Sequence, residues 1–446
     1  MQPRHDWIAA PGRPLRGRIR VPGDKSVSHR AIMLAALAEG VSRIDGFLEG
    51  EDTRSTAAVF QQLGVRIEAP SSQTRIVHGV GLRGLRGSPL PLDCGNAGTG
   101  MRLLAGALAG QSFDSVLIGD ASLSKRPMRR VIEPLAEMGA IIDSENGGLP
   151  PLRIRGGRAL RGIDYTLPVA SAQVKSALLL AGLYADGETT VREAHPTRDY
   201  TERMLAAFGW PIEFEPGFAR LRGAGAAAQA LRATDVHVPA DFSSAAFFLA
   251  AASIVPGSDL TLEAVGMNPR RTGLLQALRE MGADITVSAA REEGGEAVAD
   301  LRVRTARLRG IDVPVAWVPD MIDEFPALFA AAACAEGTTR ISGAAELRVK
   351  ESDRLGAMSV GLRALGIRVD ETADGAEIHG GSPSAQARLV IDSRGDHRIA
   401  MAMAVAAQCC GEEIVIADVA NVATSFPDFE SLVRSIGFGL RTVESD

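Results

Sequence analysis

Lysine is nearly absent from this chain. Of its 48 basic residues only Lys25, Lys125, Lys175 and Lys350 are lysines, and the other 44 are arginine. Arginine stays charged at any working pH, whereas a desolvated lysine can release its proton, so the few lysines become candidates for positions arginine cannot fill. Cysteine is also scarce: Cys94, Cys334, Cys409 and Cys410 show no C-x-x-C spacing, which excludes a disulfide framework and a cysteine zinc site and leaves packing as the role for the adjacent pair. Seven histidines form no metal-ligand cluster, and aromatics are 4% of the chain. No apolar run reaches the roughly 18 residues of a membrane span; the longest, Ala245–Val255 and Ile399–Ala407, are short and alanine-rich. An excess of positive charge is missing too, and a net charge of -6 argues against a nucleic-acid partner. The segment Met1–Ala10 lacks a basic flank, an apolar core and a small-residue cleavage site, so a cytoplasmic location is expected.

What is present is a repeat. In a chain of 446 residues, long enough for more than one core, an apolar residue followed by glycine ends a helix-like segment six times: Leu63-Gly64, Met138-Gly139, Phe208-Gly209, Met281-Gly282, Leu365-Gly366 and Ile436-Gly437. The glycines recur 70 to 84 residues apart. Glycine suits the left-handed position that closes a helix, and the β-branched residues that follow several of them suit a strand.

Each repeat also carries an Ala- and Leu-rich helix behind a polar loop: Gly23–Ser26, Cys94–Thr99, Ser171–Lys175, Asp241–Ser244, Asp323–Pro326 and Gly395–Arg398. These helices are apolar nearly all round and so should be buried on every side. Strand candidates such as Arg18–Val21, Arg153–Arg155 and Leu301–Arg304 instead alternate charge with hydrocarbon, as a sheet with one wet face does. The expected fold is therefore α/β with helices inside and sheets outside, in two lobes of three repeats. The boundary falls near Pro239, with 23–238 as one lobe and 1–22 plus 239–446 as the other. The polar loops are then expected to line a cleft between lobes.

The loops carry anion chemistry. Lys25, Ser26, Ser28 and Arg30 sit at a helix start, where free N–H groups and the helix dipole favour an anion, although Ser26 also reads as an N-cap. Gly95 and Gly98 permit close backbone approach beside Asn96, Thr99 and Arg102. Lys125 and Arg126 stand before what reads as a proline-started helix, either as ligands or as an exposed basic pair. Ser171, Gln173 and Lys175, with Arg198 nearby, look like phosphate ligands. In the second half, Asp320 and Asp323 precede Glu324, and five charges fill Arg348–Arg354. Such a run is usually a solvated helix face, yet Lys350 is the only lysine in that half. A lysine beside Glu351, with an aspartate from the adjoining loop, makes a proton-transfer set. His397 reads as a capping histidine, and one histidine is no metal site.

Six ordered motifs, Gly23–Arg30, Gly95–Arg102, Ser124–Met128, Ser171–Ser176, Glu346–Leu355 and Gly395–Arg398, resemble the 5-enolpyruvylshikimate-3-phosphate synthase family over essentially the whole chain. The resemblance implies two inside-out α/β lobes and transfer of the enolpyruvyl group of phosphoenolpyruvate to the 5-hydroxyl of shikimate 3-phosphate, through a tetrahedral intermediate and without metal or organic cofactor. It implies that Lys25, Ser26, Arg30, Ser171, Ala172, Gln173, Arg198, Asp323 and Lys350 bind shikimate 3-phosphate. Lys25, Gly98, Arg126, Gln173, Arg354 and Arg398 would bind phosphoenolpyruvate. Asp323 would be the base for the 5-hydroxyl, with Lys350 and Lys25 participating, and Glu351 the acid toward the methylene carbon. A monomer is expected, and glyphosate is the implied inhibitor, with sensitivity suggested by Gly98.

The chain also departs from the family pattern. The Ser-Ala-Gln-x-Lys loop resembles the branch called class II, but Tyr200 stands where that branch carries histidine. Thr424 occupies the place of a phosphate-contacting lysine of the other branch. Two rival readings are a sister enzyme acting on UDP-N-acetylglucosamine, whose catalytic cysteine has no counterpart in Gly119–Leu123, and a non-catalytic anion-binding relative.

Overall fold

A computed structural model of the chain describes residues 4–224, 229–293, 295–385 and 389–445. All six repeat glycines have positive φ, between 77° and 109°. Each closes a helix, and the residue after it donates its N–H back into the last turn: Val65 to Phe60, Ala140 to Leu135, Trp210 to Leu205, Ala283 to Leu278, Ile367 to Leu362 and Phe438 to Val433, all at 2.9–3.0 Å. This is the Schellman closure that glycine makes cheap. The carbonyl just before each glycine is satisfied by a more distant segment, taking N–H groups from Arg86, Arg161, Arg232, Arg309, Ser384 and Arg16 in turn at 2.8–3.2 Å. One glycine thus ends a helix and leaves the neighbouring carbonyl to pin the next stretch of chain.

Two compact units result. One comprises Gly23–Val238 with Glu293–Glu296; the other comprises Met1–Pro22, Pro239–Glu292 and Ala297–Asp446. In the first, three sheets follow one plan, a short strand parallel to a second, which is antiparallel to a third, which is antiparallel to a fourth. Leu92–Asp93, Ser115–Ile118, Leu149–Ile154 and Ile142–Glu145 make one; Asp164–Leu167, Glu188–Glu193, Phe218–Arg222 and Ile212–Glu215 make another. The sheet of Ala38–Asp45, Thr74–Val80 and Arg66–Ser71 receives its parallel strands from the far end of the unit, Leu231–Arg232 and Val236–His237. The second unit closes likewise, because Arg16–Ile19 pairs with Asp259–Gly266 and Arg4–Ala10 lies between Ile414–Ala417 and Gly439–Ser445. The N-terminal segment therefore completes two sheets of the unit built mainly from the C-terminal half.

Inside each unit run three helices with almost no exposed residue: Lys25–Leu37, Gly98–Ala109 and Ala172–Gly182 in the first, Phe242–Ile254, Phe325–Ala333 and His397–Ala407 in the second. Each unit has its own apolar core around its helices. Small residues let them touch: a Cβ on Gly106 would stand 2.1 Å from the Ala177 carbonyl oxygen. The sheets present their charged faces outward, with Leu301 and Val303 buried and Arg302 and Arg304 exposed along one strand. Helices inside and sheets outside is what the hydropathy pattern requires. One local expectation is corrected. Pro127 does not start the following helix, which spans Arg129–Glu137, because the Met128 N–H is taken by the Gly148 carbonyl at 2.8 Å and Met128 becomes the cap. Among the described residues no helix is long and apolar enough to cross a membrane, and all four cysteines are free thiols.

Candidate active site

In the first unit the candidate residues gather at the N-terminal turns of the three buried helices. Asp24, not Ser26, caps the first helix by accepting the Val27 N–H at 2.8 Å. Ser26 is left in the first turn with its carbonyl accepting from Arg30 at 2.9 Å. The Lys25 ammonium rests directly on the Asp52 carboxylate at the head of the Glu51–Gln62 helix. Arg30 is buried and also donates to Thr201 Oγ1 at 2.7 Å and Ser176 Oγ at 2.8 Å. Burial and the neighbouring charge of Arg198 pull its pKa down to about 10, so two guanidinium groups crowd one place that an anion would relieve. Tyr200 answers for its unusual identity here: its ring lies 6.0 Å from the Arg30 guanidinium, and its hydroxyl donates to Asp24 at 3.2 Å.

The other two loops interlock. Arg126 donates to Asn96 Oδ1 at 2.6 Å and to Ser122 Oγ at 3.2 Å. The Cα of Gly98 abuts this group, since a Cβ there would stand 3.1 Å from Arg126 Nη1 and 3.3 Å from Arg102 Nη1. Arg102 in turn donates to Gln173 Oε1 at 2.7 Å, and Gln173 Nε2 donates to Thr99 Oγ1 at 2.8 Å. Ser171 caps its helix by accepting the Val174 N–H at 3.4 Å, and Ala172 is the first helical residue. Ser171, Ala172 and Gln173 thus lead the helix whose second residue reaches Thr99 in the neighbouring loop.

Lys175 does not join them. Its ammonium is buried between Glu193 at 2.7 Å and Glu202 at 2.8 Å, and it also donates to the Thr197 carbonyl at 3.4 Å. Burial opposes its charge, but the two carboxylates prevail and hold its pKa above the ordinary lysine value. Burial raises that of Glu202. The reading of Lys175 as a phosphate ligand is corrected to that of an internal anchor. Lys125 is exposed, which fits the basic-pair alternative, while Arg126 is buried.

The second unit holds the carboxylates. Asp323 lies 3.4 Å from Arg271 Nη1, 3.5 Å from Arg354 Nη1 and 3.7 Å from Lys350 Nζ. Lys350 also lies 3.8 Å from Glu346, and burial pulls its pKa down despite these acidic neighbours. A lysine in that condition can exchange a proton where arginine cannot. Arg354 is buried; it donates to Glu351 at 2.6 Å and to Asp396 at 2.9 Å. Its Nη1 finds no hydrogen-bond partner among the described residues. Burial works against the Asp396 charge, but Arg354 outweighs it and keeps that carboxyl below its usual range. Asp396, rather than His397, caps its helix by accepting the Arg398 N–H at 2.9 Å. The Arg398 side chain donates to the Asp323 carbonyl at 2.8 Å. Thr424 donates to the Asn421 carbonyl at 2.7 Å and offers no cation. Arg271, Asp241 and Glu324 complete this cluster, and no role was read for them in the sequence. Among the described residues no group of three His, Cys, Asp or Glu side chains is arranged to hold a metal ion.

Known proteins resemble this chain in sequence and fold. A family model described as EPSP synthase (3-phosphoshikimate 1-carboxyvinyltransferase) matches residues 9–432. The chain is 70% identical over 434 residues to a 3-phosphoshikimate 1-carboxyvinyltransferase of Xanthomonas campestris pv. campestris (strain B100), covering 97% of this chain and 98% of that one. It is 68% identical over 438 residues to the protein of the same name from Xanthomonas axonopodis pv. citri (strain 306), covering 98% of each. Among solved structures, EPSP synthase from Acinetobacter baumannii superposes with a TM-score of 0.87 at 49% identity, over 99% of this chain and 100% of that one. The enolpyruvyl transferase NikO from Streptomyces tendae shares the fold, with a TM-score of 0.81 at 19% identity over 100% of both chains.

Proposed function

The chain belongs to the EPSP synthase (3-phosphoshikimate 1-carboxyvinyltransferase) family and is a transferase, and we propose that its two clusters divide the labour of one reaction. That reaction joins the 5-hydroxyl oxygen of shikimate 3-phosphate to C2 of phosphoenolpyruvate, gives a tetrahedral intermediate, and expels phosphate. In the first unit Lys25, Ser26, Arg30, Ser171, Ala172, Gln173 and Arg198 hold shikimate 3-phosphate, and Lys25, Gly98, Arg126 and Gln173 face phosphoenolpyruvate. Crowded guanidinium groups bind dianions well because each supplies paired N–H donors and cannot lose its charge.

The second unit supplies proton transfer. Asp323 takes the hydroxyl proton as the C–O bond forms, with Lys350 beside it, and Glu351 delivers a proton to the methylene carbon. The observation that carries this division is Asp323 within 3.7 Å of Lys350, with Arg354 bridging it to Glu351. Glu351 is ion-paired with Arg354 at 2.6 Å, and an ion pair disfavours the protonated acid. Phosphoenolpyruvate clamped by Arg354 and Arg398 draws the Arg354 guanidinium toward its own charge and frees Glu351 to carry the proton. Elimination then returns a proton from the new methyl group. The enzyme acts in the cytoplasm as a monomer, and glyphosate competes at the Gly98 side. Deuterium from solvent should enter the methylene group when both substrates are present in heavy water, and Glu351→Gln should suppress that exchange while shikimate 3-phosphate still binds. Undiminished exchange in Glu351→Gln removes the acid assignment.

A further inference from the structure

Arg271 approaches three carboxylates without any motif to announce it. It is 3% exposed. Its Nη1 lies 3.4 Å from Asp323 and 3.6 Å from Glu324, and its Nη2 lies 3.3 Å from Asp241, the cap of the Phe242–Ile254 helix. The turn that carries it is itself built to stay in place. Asn268 Oδ1 accepts the Arg270 N–H at 2.9 Å, and the Asn268 carbonyl accepts the Arg271 N–H at 2.9 Å. Arg270 reaches Asp320 at 3.3 Å, three residues before Asp323, so consecutive arginines grip both ends of the Asp320–Asp323 segment. Gly273 lets the two segments abut, since a Cβ there would stand 3.0 Å from Met321 Cβ and 3.1 Å from the Asp320 carbonyl carbon.

We propose that Arg271 is a positioning residue for the reaction, fixing the Asp323 carboxylate and holding it ionised by gripping it together with Asp241 and Glu324. The inference rests on the reading of Asp323 as the proton acceptor. The charges facing Asp323 include Arg271, Arg354 and Lys350 on its carboxylate, Arg398 on its carbonyl, and Glu324 beside it; Glu346, Glu351, Asp241 and Asp396 are among the partners of those cations. Arg271 is the one that comes from the Asn268–Gly273 turn. Removing a cation at this distance moves a carboxylate upward by about one pH unit or more, and loosening a reacting group lowers turnover by about 10- to 100-fold.

The test is the pH profile of kcat for phosphate release in Arg271→Gln and Arg271→Lys, with Asp323→Asn alongside and with folding and shikimate 3-phosphate binding checked by thermal melt and titration. The inference expects Arg271→Gln to lose about 10- to 100-fold in kcat, to keep KM for both substrates near the parent values, and to shift its acid limb upward by about one pH unit. Arg271→Lys should return most of that limb, because the charge is restored. It also keeps the test available should the glutamine variant fail to fold, since a folded Arg271→Lys whose acid limb still moves upward by about one pH unit contradicts the charge role. A folded Arg271→Gln whose acid limb stays in place overturns the proposal. An active Asp323→Asn overturns the reading beneath it instead.

Discussion

Replacing Lys175 by methionine separates an internal anchor from a substrate ligand. In the native unit the ammonium touches Glu193 at 2.7 Å and Glu202 at 2.8 Å, with side-chain exposures of 4%, 0% and 2% for the three residues. Lys175→Met leaves two carboxylates facing each other without a cation and out of water, a loss of about 3–5 kcal/mol when one partner of a buried pair is removed. For a unit of this size each kcal/mol moves the melting temperature by about 2–4 °C, so the first unit should melt roughly 6–20 °C lower in a thermal scan followed by circular dichroism. Adding Glu202→Gln to Lys175→Met removes one stranded charge and should recover part of the loss. The pH dependence follows from the raised folded pKa of Lys175. Its stabilising contribution is fully present below the ordinary lysine value of about 10.4 and is lost as pH climbs through the higher folded value. Parent and variant should therefore converge in stability as pH climbs through that higher value. An unchanged melting temperature together with a large rise in KM for shikimate 3-phosphate would refute the anchor and restore the ligand.

Two further outcomes are expected. Lys350→Arg keeps the positive charge near Asp323 but cannot exchange a proton, so steady-state assays should show both substrates still binding and kcat reduced by about 100-fold or more; parental turnover would contradict a proton-handling Lys350. Gly98→Ala places a methyl 3.1 Å from Arg126 and 3.3 Å from Arg102, displacing guanidinium groups by a few tenths of an ångström; KM for phosphoenolpyruvate should rise about 3- to 10-fold, or about 0.7–1.4 kcal/mol, and glyphosate inhibition should weaken, whereas superimposable inhibition curves would argue against this contact.

The parts of the fold that were legible in the sequence are those where backbone geometry selects a residue type. A helix closed at positive φ calls for glycine, and all six repeat glycines do that work. All-apolar helices and alternating strands carry their own burial pattern, which is why helices inside and sheets outside is legible in the sequence. Cap residues were partly legible: Asp24, Asp241 and Asp396 stood in the right loops, but attention to hydroxyls and histidine put the cap on Ser26 or His397 instead of the carboxylate beside it. Lys175 was misread because its partners lie 18 and 27 residues further on, on a strand and a helix that only tertiary packing brings to it. Arg271 was invisible for a plainer reason. With 44 arginines in the chain, nothing local marks the one whose guanidinium reaches Asp323, and the tandem Arg270-Arg271 before Gly273 acquires meaning only once the two turns are seen in contact.

The proposed transfer needs both substrates. Inorganic phosphate released by the purified protein should be measured with shikimate 3-phosphate and phosphoenolpyruvate together, with each alone, and with UDP-N-acetylglucosamine as acceptor. Release confined to the shikimate pair is the predicted result. Release with UDP-N-acetylglucosamine, or none with any acceptor while shikimate 3-phosphate still binds tightly, would contradict it.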